Sequence, residues 1–175
     1  MKKLLTVFLI YAASFSQKIN AQQLKSEFLF EMEANLYEPQ MVGKGLLGTR
    51  VIFPAKEGIV KGDRIKGKIL AGGGDWGLIL DSTTFKLDVR ATIETDDGAL
   101  IYMTYTGYIH TDAKRFSKIL TGKANELSQS DYYFRTNPIF ETSSSKYAWL
   151  NHIVSIGIGW IPESGKVSYK IFEIK

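Results

Sequence analysis

The chain has no cysteine, only two histidines and no apolar run of membrane-spanning length. Without cysteine there is no disulfide, so the fold depends on its core for stability. The same absence removes a lipid anchor on a cysteine next to a cleavage site. It also removes the thiolate ligands of most structural zinc sites, and His110 and His152 form no ligand pair of recognised spacing. The sequence therefore predicts no metal and no cofactor.

A surplus of one charge sign is also missing once the N-terminus is set apart. Residues 1–21 carry Lys2, Lys3 and Lys18 and no acid, which leaves 19 basic against 18 acidic groups in the rest. That near balance excludes a nucleic-acid reader, which needs clustered Lys and Arg to neutralise phosphates.

The N-terminus reads as a secretory signal peptide. A lysine pair precedes an apolar stretch over residues 4–15, a polar stretch follows, and cleavage is expected between Ala21 and Gln22. The apolar stretch is shorter than the roughly 20 residues of a spanning helix. The expectation is a periplasmic or secreted protein of one domain, residues 22–175, with no membrane partner after cleavage. A homo-oligomer is left open.

The rest reads as β-structure. Residues 24–34 alternate Phe28, Phe30 and Met32 with Glu27, Glu31 and Glu33, the period of a strand with one buried face. Residues 43–77 hold ten of the sixteen glycines among short apolar runs at 51–53, 65–70 and 78–80, which predicts turns and bent strands. Residues 84–94 and 99–109 flank Asp97-Gly98, which predicts a two-residue hairpin. Its register would place Thr95 opposite Leu100, Ile93 opposite Tyr102, Ala91 opposite Thr104, Leu87 opposite Tyr108 and Arg90 opposite Tyr105. One helix is predicted after Asp112, with Phe116, Ile119 and Leu120 on one face and Gly122 at its end. Strands are expected over 132–142, 147–160 and 166–174. In the 147–160 segment, small Gly157 and Gly159 suggest a surface pressed close.

The fold class is thus all-β with one short helix, a small antiparallel closed barrel, because glycine-bent strands are how small sheets close. An outer-membrane barrel is disfavoured, since no sustained lipid-facing alternation with aromatic girdles occurs.

Two phosphate-loop spellings fail on context. Gly43–Gly48 spells G-x-G-x-x-G but is followed by a strand pattern. Residues 62–68 spell G-x-x-x-x-G-K, but Ile69 stands where a Ser or Thr would hold magnesium. No G-x-S-x-G nucleophile elbow occurs. What remains is a set of polar side chains within apolar strands. Asp88 and Arg90 share a face about 7 Å apart, with Tyr105 opposite Arg90 in the expected register. Asp75-Trp76 follows three glycines, and Arg135 and Glu141 neighbour Phe134 and Phe140. The plain alternative is an ion pair on a solvated face or a pair closing the barrel end. The functional reading has Asp88, Arg90 and Tyr105 pointing into the barrel, Arg90 paired with Asp88 or Glu141.

These stretches, in order, carry a family resemblance: GDRIKG at 62–67, LAGGGDW at 70–76, LDVR at 87–90, ETDDGALIY at 94–102, YFRT at 133–136, PIFET at 138–142 and YAWLN at 147–151. The chain resembles the uncharacterised family called domain of unknown function 3237, or uncharacterised protein family 0311. The resemblance implies a small barrel of lipocalin-like general form and brings no reaction. It singles out Asp75, Trp76, Asp88, Arg90, Arg135, Phe140, Glu141, Trp149 and Asn151, to which the hairpin adds Tyr105.

Three functional readings follow. One is a barrel binding a small polar or aromatic molecule among these residues. Another is an enzyme in the same cavity, with Asp88 or Glu141 as base and Arg90 or Arg135 stabilising an anion. The third is a filled barrel with a structural or partner-binding role. An open cavity separates the third from the first two.

Overall fold

The computed structural model describes residues 23–175. The expected leader over residues 1–21 and its cleavage bond lie outside the described residues. The strands are β1 (Ser26–Leu36), β2 (Gln40–Gly45), β3 (Gly48–Lys61), β4 (Gly67–Ile69), β5 (Gly74–Ile79), β6 (Thr84–Thr95), β7 (Leu100–His110), β8 (Tyr133–Thr136), β9 (Ile139–Glu141), β10 (Ser155–Trp160) and β11 (Lys166–Ile174). One α-helix, α1 (Ala113–Leu120), follows β7.

All pairings are antiparallel, and the sheet closes where β6 meets β7. β4 and β5 act as two halves of one stave between β3 and β6. β8 and β9 form a second broken stave on β7, interrupted at Asn137-Pro138, where proline cannot donate to the ladder. Counted this way, the barrel has eight staves. β2 lies outside the ring as a hairpin on β3.

Alternation decides which face turns inward. Along β6, Phe85, Leu87, Val89, Ala91 and Ile93 are buried, and along β7 Ile101, Met103, Tyr105 and Ile109 face them. The end of the barrel near the β6–β7 turn is filled by Phe30, Ile93, Ile101, Met103 and Phe140, with the Phe30 and Phe140 rings edge to face at 5.9 Å. Fully burying a side chain of this size stabilises the fold by about 1.5–3 kcal/mol. Helix α1 lies over part of the opposite end. Asp112 caps the helix by accepting from the Arg115 amide at 2.9 Å, and Phe116 is driven into the core.

Two sequence expectations change. The 147–160 segment starts as a short 3-10 turn, Ala148–His152, and becomes strand only at Ser155. Asn151 holds the turn, accepting from the Thr142 amide and donating to the Thr142 carbonyl, both at 2.9 Å. The close approach expected at the glycines is present: a Cβ on Gly159 would stand 2.8 Å from the Phe134 ring.

The second change is the hairpin register. The loop is Asp96-Asp97-Gly98, closed by Thr95 N–H to Ala99 O at 2.9 Å and Gly98 N–H to Thr95 O at 2.8 Å. A two-residue type I′ turn needs positive φ at both central positions. Among the described residues only glycines have positive φ, and Gly98 (φ +84°) does so here while Asp97 does not. The chain therefore makes a three-residue loop ending in a left-handed glycine, and the ladder moves by one: Ile93 faces Ile101, Arg90 faces Thr104 and Val89 faces Tyr105. A one-residue slip exchanges faces. Tyr105 turns inward, away from Asp88 and Arg90.

Candidate functional site

The end of the barrel beneath α1 is hollow. A cavity of about 540 Å³ opens there, walled by Val51, Phe53, Phe85, Leu87, Ile109 and Phe134. Its mouth lies among Tyr37, Met41, Ile119, Leu120 and Gly165. The volume suits one small molecule, and a mostly apolar wall with few polar groups is the usual form of such sites.

Asp75 is a carboxyl set into the wall. Glycine-rich residues 70–74 bring the chain around into β5, where Asp75 pairs with Phe53 and Val89 and so shares their inward face. Its Oδ1 accepts from the Asp88 amide at 2.9 Å. The surface it retains opens on the cavity. Burial pushes its carboxyl up to about 7; the Asp88 amide opposes the rise, the Asp88 charge adds to it and Arg50 weakly opposes it. Glu38 and Lys166, the other charged lining residues, stand at the rim, and Lys166 is engaged by Glu163 at 2.8 Å and Glu33 at 3.7 Å.

Two tyrosines sit close by. The Tyr105 and Tyr169 rings meet edge to face at 5.4 Å, and Tyr169 stacks in the same way on Phe134 at 5.3 Å. Burial pushes both phenols upward, and the Asp75 charge adds to each rise. Both hydroxyls therefore keep their protons across the neutral range.

The remaining candidates lie elsewhere. Trp76, Asp88 and Arg90 share the outer face of the barrel with Arg50. Arg90 and Asp88 pair at 3.0 Å with both side chains more than two-fifths exposed, and Arg90 lies 5.3 Å from the Trp76 ring centroid. The expectation that Asp88 and Arg90 line the cavity with Tyr105 is corrected. On these strands the apolar face is the buried one, and the two charges keep their hydration rather than bearing the cost of burial. Arg135 is also outside, donating to the Phe134 carbonyl at 2.9 Å with its guanidinium 5.3 Å from the Tyr133 ring centroid. Glu141 is exposed beside Tyr102, so neither it nor Asp88 can act as a base in the cavity. Phe140 belongs to the filled end. Trp149 packs there under Arg64, 3.5 Å from ring centroid to guanidinium, and Asn151 is the clip described above.

The structure thus brings together Asp75 and Tyr105 from the sequence candidates. It adds Phe53, Phe85, Leu87, Phe134 and Tyr169, which the sequence did not single out as site residues. The signal for them was faint: an acid after three glycines in a strand whose inward neighbours are all apolar.

The family model for the protein of unknown function DUF3237 matches residues 24–174. The UPF0311 protein of Clostridium acetobutylicum is 31% identical over 157 residues, 89% of this chain and 97% of that one. A conserved protein of unknown function from Rhodopseudomonas palustris superposes with a TM-score of 0.83 at 27% identity, covering 89% of this chain and all of that one. A beta-barrel like protein from Acinetobacter baumannii gives a TM-score of 0.77 at 33% identity, covering 90% and 100%. The chain belongs to the DUF3237 family of proteins of unknown function.

Proposed function

We propose that this protein is an exported binding barrel whose hollow end holds one small molecule with an apolar or aromatic body and a single hydrogen-bond donor or cationic group. The observation that carries the reading is Asp75, a carboxyl in a mostly apolar wall with no cation among the described residues inside the barrel to pair with it. Arg50, the nearest attractive charge, spends its guanidinium on the Trp76 and Gly77 carbonyls. Left alone, such a carboxyl holds its proton up to about pH 7, because an unpaired charge there is costly. A ligand N–H or ammonium restores the charged form, so recognition and deprotonation are coupled. Native mass spectrometry of protein from its own envelope tests this. A small molecule retained by the wild type and absent from Asp75→Asn supports it; a ligand-free wild type contradicts it. Export is tested in the same sample, whose N-terminal residue should be Gln22.

A second reading, catalysis at the same carboxyl, is favoured by its position near pH 7. A group that titrates near the working pH can both give and take a proton. Here Asp75 would move the proton while Tyr105 and Tyr169 stay protonated. Conversion of the retained molecule by wild type, with Asp75→Asn binding but not converting it, would support this reading.

A further inference from the structure

At the hollow end of the barrel, the turn joining β2 to β3 projects with its apolar side chains bare. Leu46 is completely exposed (106%), and Leu47 (73%), Val42 (66%) and Met41 (63%) stand beside it. Single exposed leucines are ordinary, but a contiguous apolar tip marks a contact surface. From Pro39 to Lys56 the chain carries Lys44, Arg50 and Lys56 and no acidic residue, with Glu38 and Glu57 at its two borders. Lys56 lies 5.0 Å from the ring centroid of Tyr37, at the cavity mouth. Met41 belongs both to the apolar tip and to the cavity mouth, and half-exposed Leu120 of α1 lines the mouth as well.

We propose that this tip seats the open end of the barrel on an anionic lipid surface. Apolar side chains at the apex would enter the interfacial region while Lys44 within the tip meets the headgroups and Lys56 flanks the mouth beside Tyr37. The expectation of no membrane partner rested on the lack of a spanning pattern, and a seven-residue tip leaves no such pattern. The alternative occupant, a second copy adding a strand to β2, is disfavoured by β2 itself. Its pairing shifts register between Met41 and Gly43, and Gly43 has φ +104°. A bulge of this kind blunts an edge against strand addition. The inference stands whether or not a ligand occupies the cavity.

The test is co-sedimentation of the exported protein with vesicles of mixed phosphatidylcholine and phosphatidylglycerol, and with phosphatidylcholine alone. Leu46→Glu/Leu47→Glu and Lys44→Glu/Lys56→Glu variants carrying the same N-terminus are run beside it. The wild type should bind the anionic vesicles in preference, and the leucine variant should bind about tenfold more weakly or less. The lysine variant should lose the preference for anionic lipid. Unchanged thermal midpoints and unchanged dye uptake by the cavity establish that both variants fold. The proposal is overturned by a wild type that does not sediment, by equal binding to both vesicle types, or by leucine variants that bind like wild type. A wild-type dimer that the leucine variant splits, without vesicle binding, would assign the tip to a second copy instead.

Discussion

Gly77 lies directly under the Phe85 ring: a Cβ placed on Gly77 would stand 1.9 Å from Phe85 Cζ. Both residues face the interior, and Phe85 forms part of the cavity wall, edge to face with Phe53 at 6.0 Å. The absent side chain at Gly77 is what lets Phe85 lie flat against β5 and leaves the space in front of it open.

Gly77→Ala should therefore push Phe85 into the cavity. Overpacking of this kind costs about 1–3 kcal/mol. Urea unfolding should show that loss, and ligand or dye uptake should fall with it. Unchanged stability would mean that the ring moves aside freely.

Asp75 predicts a pH dependence with a definite sign. Folded, the carboxyl holds its proton up to about pH 7; unfolded, it releases it near 3.8. Between those values the folded state binds more protons, so this group makes stability fall as pH rises through the window. Its full contribution is on the order of 4 kcal/mol. Asp75→Asn keeps an acceptor for the Asp88 amide and cannot ionise. The variant should gain on wild type by several kcal/mol between pH 4.5 and pH 8, measured by denaturant titration at both. A difference that stays flat with pH would show that the carboxyl is solvated.

Arg90 makes the contrasting case. Its pair with Asp88 is exposed, and such pairs contribute about 0–1 kcal/mol. Arg90→Ala should leave stability within about 1 kcal/mol of wild type and leave uptake by the cavity unchanged. A loss of binding in this variant would return the outer face to consideration.

Gly98→Val should destabilise by about 1 kcal/mol or more, because φ is +84° there. No atom lies within 4 Å of a Cβ at that position, so the cost is backbone strain alone. Equal stability by thermal unfolding would contradict the left-handed loop.

The same loop shows how far the sequence could be read. The barrel, its hairpin and its helix were legible because alternation and turn residues are local signals. The register was not, because Asp96-Asp97-Gly98 permits loops of two or three residues, and the choice lies in whether Asp97 takes a left-handed conformation. Asp97 instead turns its carboxylate to Thr95 Oγ1 at 2.5 Å and to Lys146 Nζ at 2.6 Å. That tertiary contact is invisible in a local pattern. The one-residue difference put Tyr105 on the face opposite to Asp88 and Arg90, so that Tyr105 lies inside as expected while the two charges lie outside. The site itself was half legible. Asp75 could be singled out, but its apolar surroundings come from β3, β6, β8 and β11, which are distant in the chain.

The central claim is that the hollow end is a site for one small molecule with an apolar body. The most direct measurement is a fluorescence titration with N-phenyl-1-naphthylamine, an aromatic probe bearing one N–H, on wild type and Leu87→Trp. Leu87 is buried in the cavity wall, and tryptophan there would fill the space. The account predicts one saturable site in wild type and at least about a tenfold loss of affinity in Leu87→Trp, with the variant still folded. Equal binding by both proteins, or no saturable site in wild type, would contradict it.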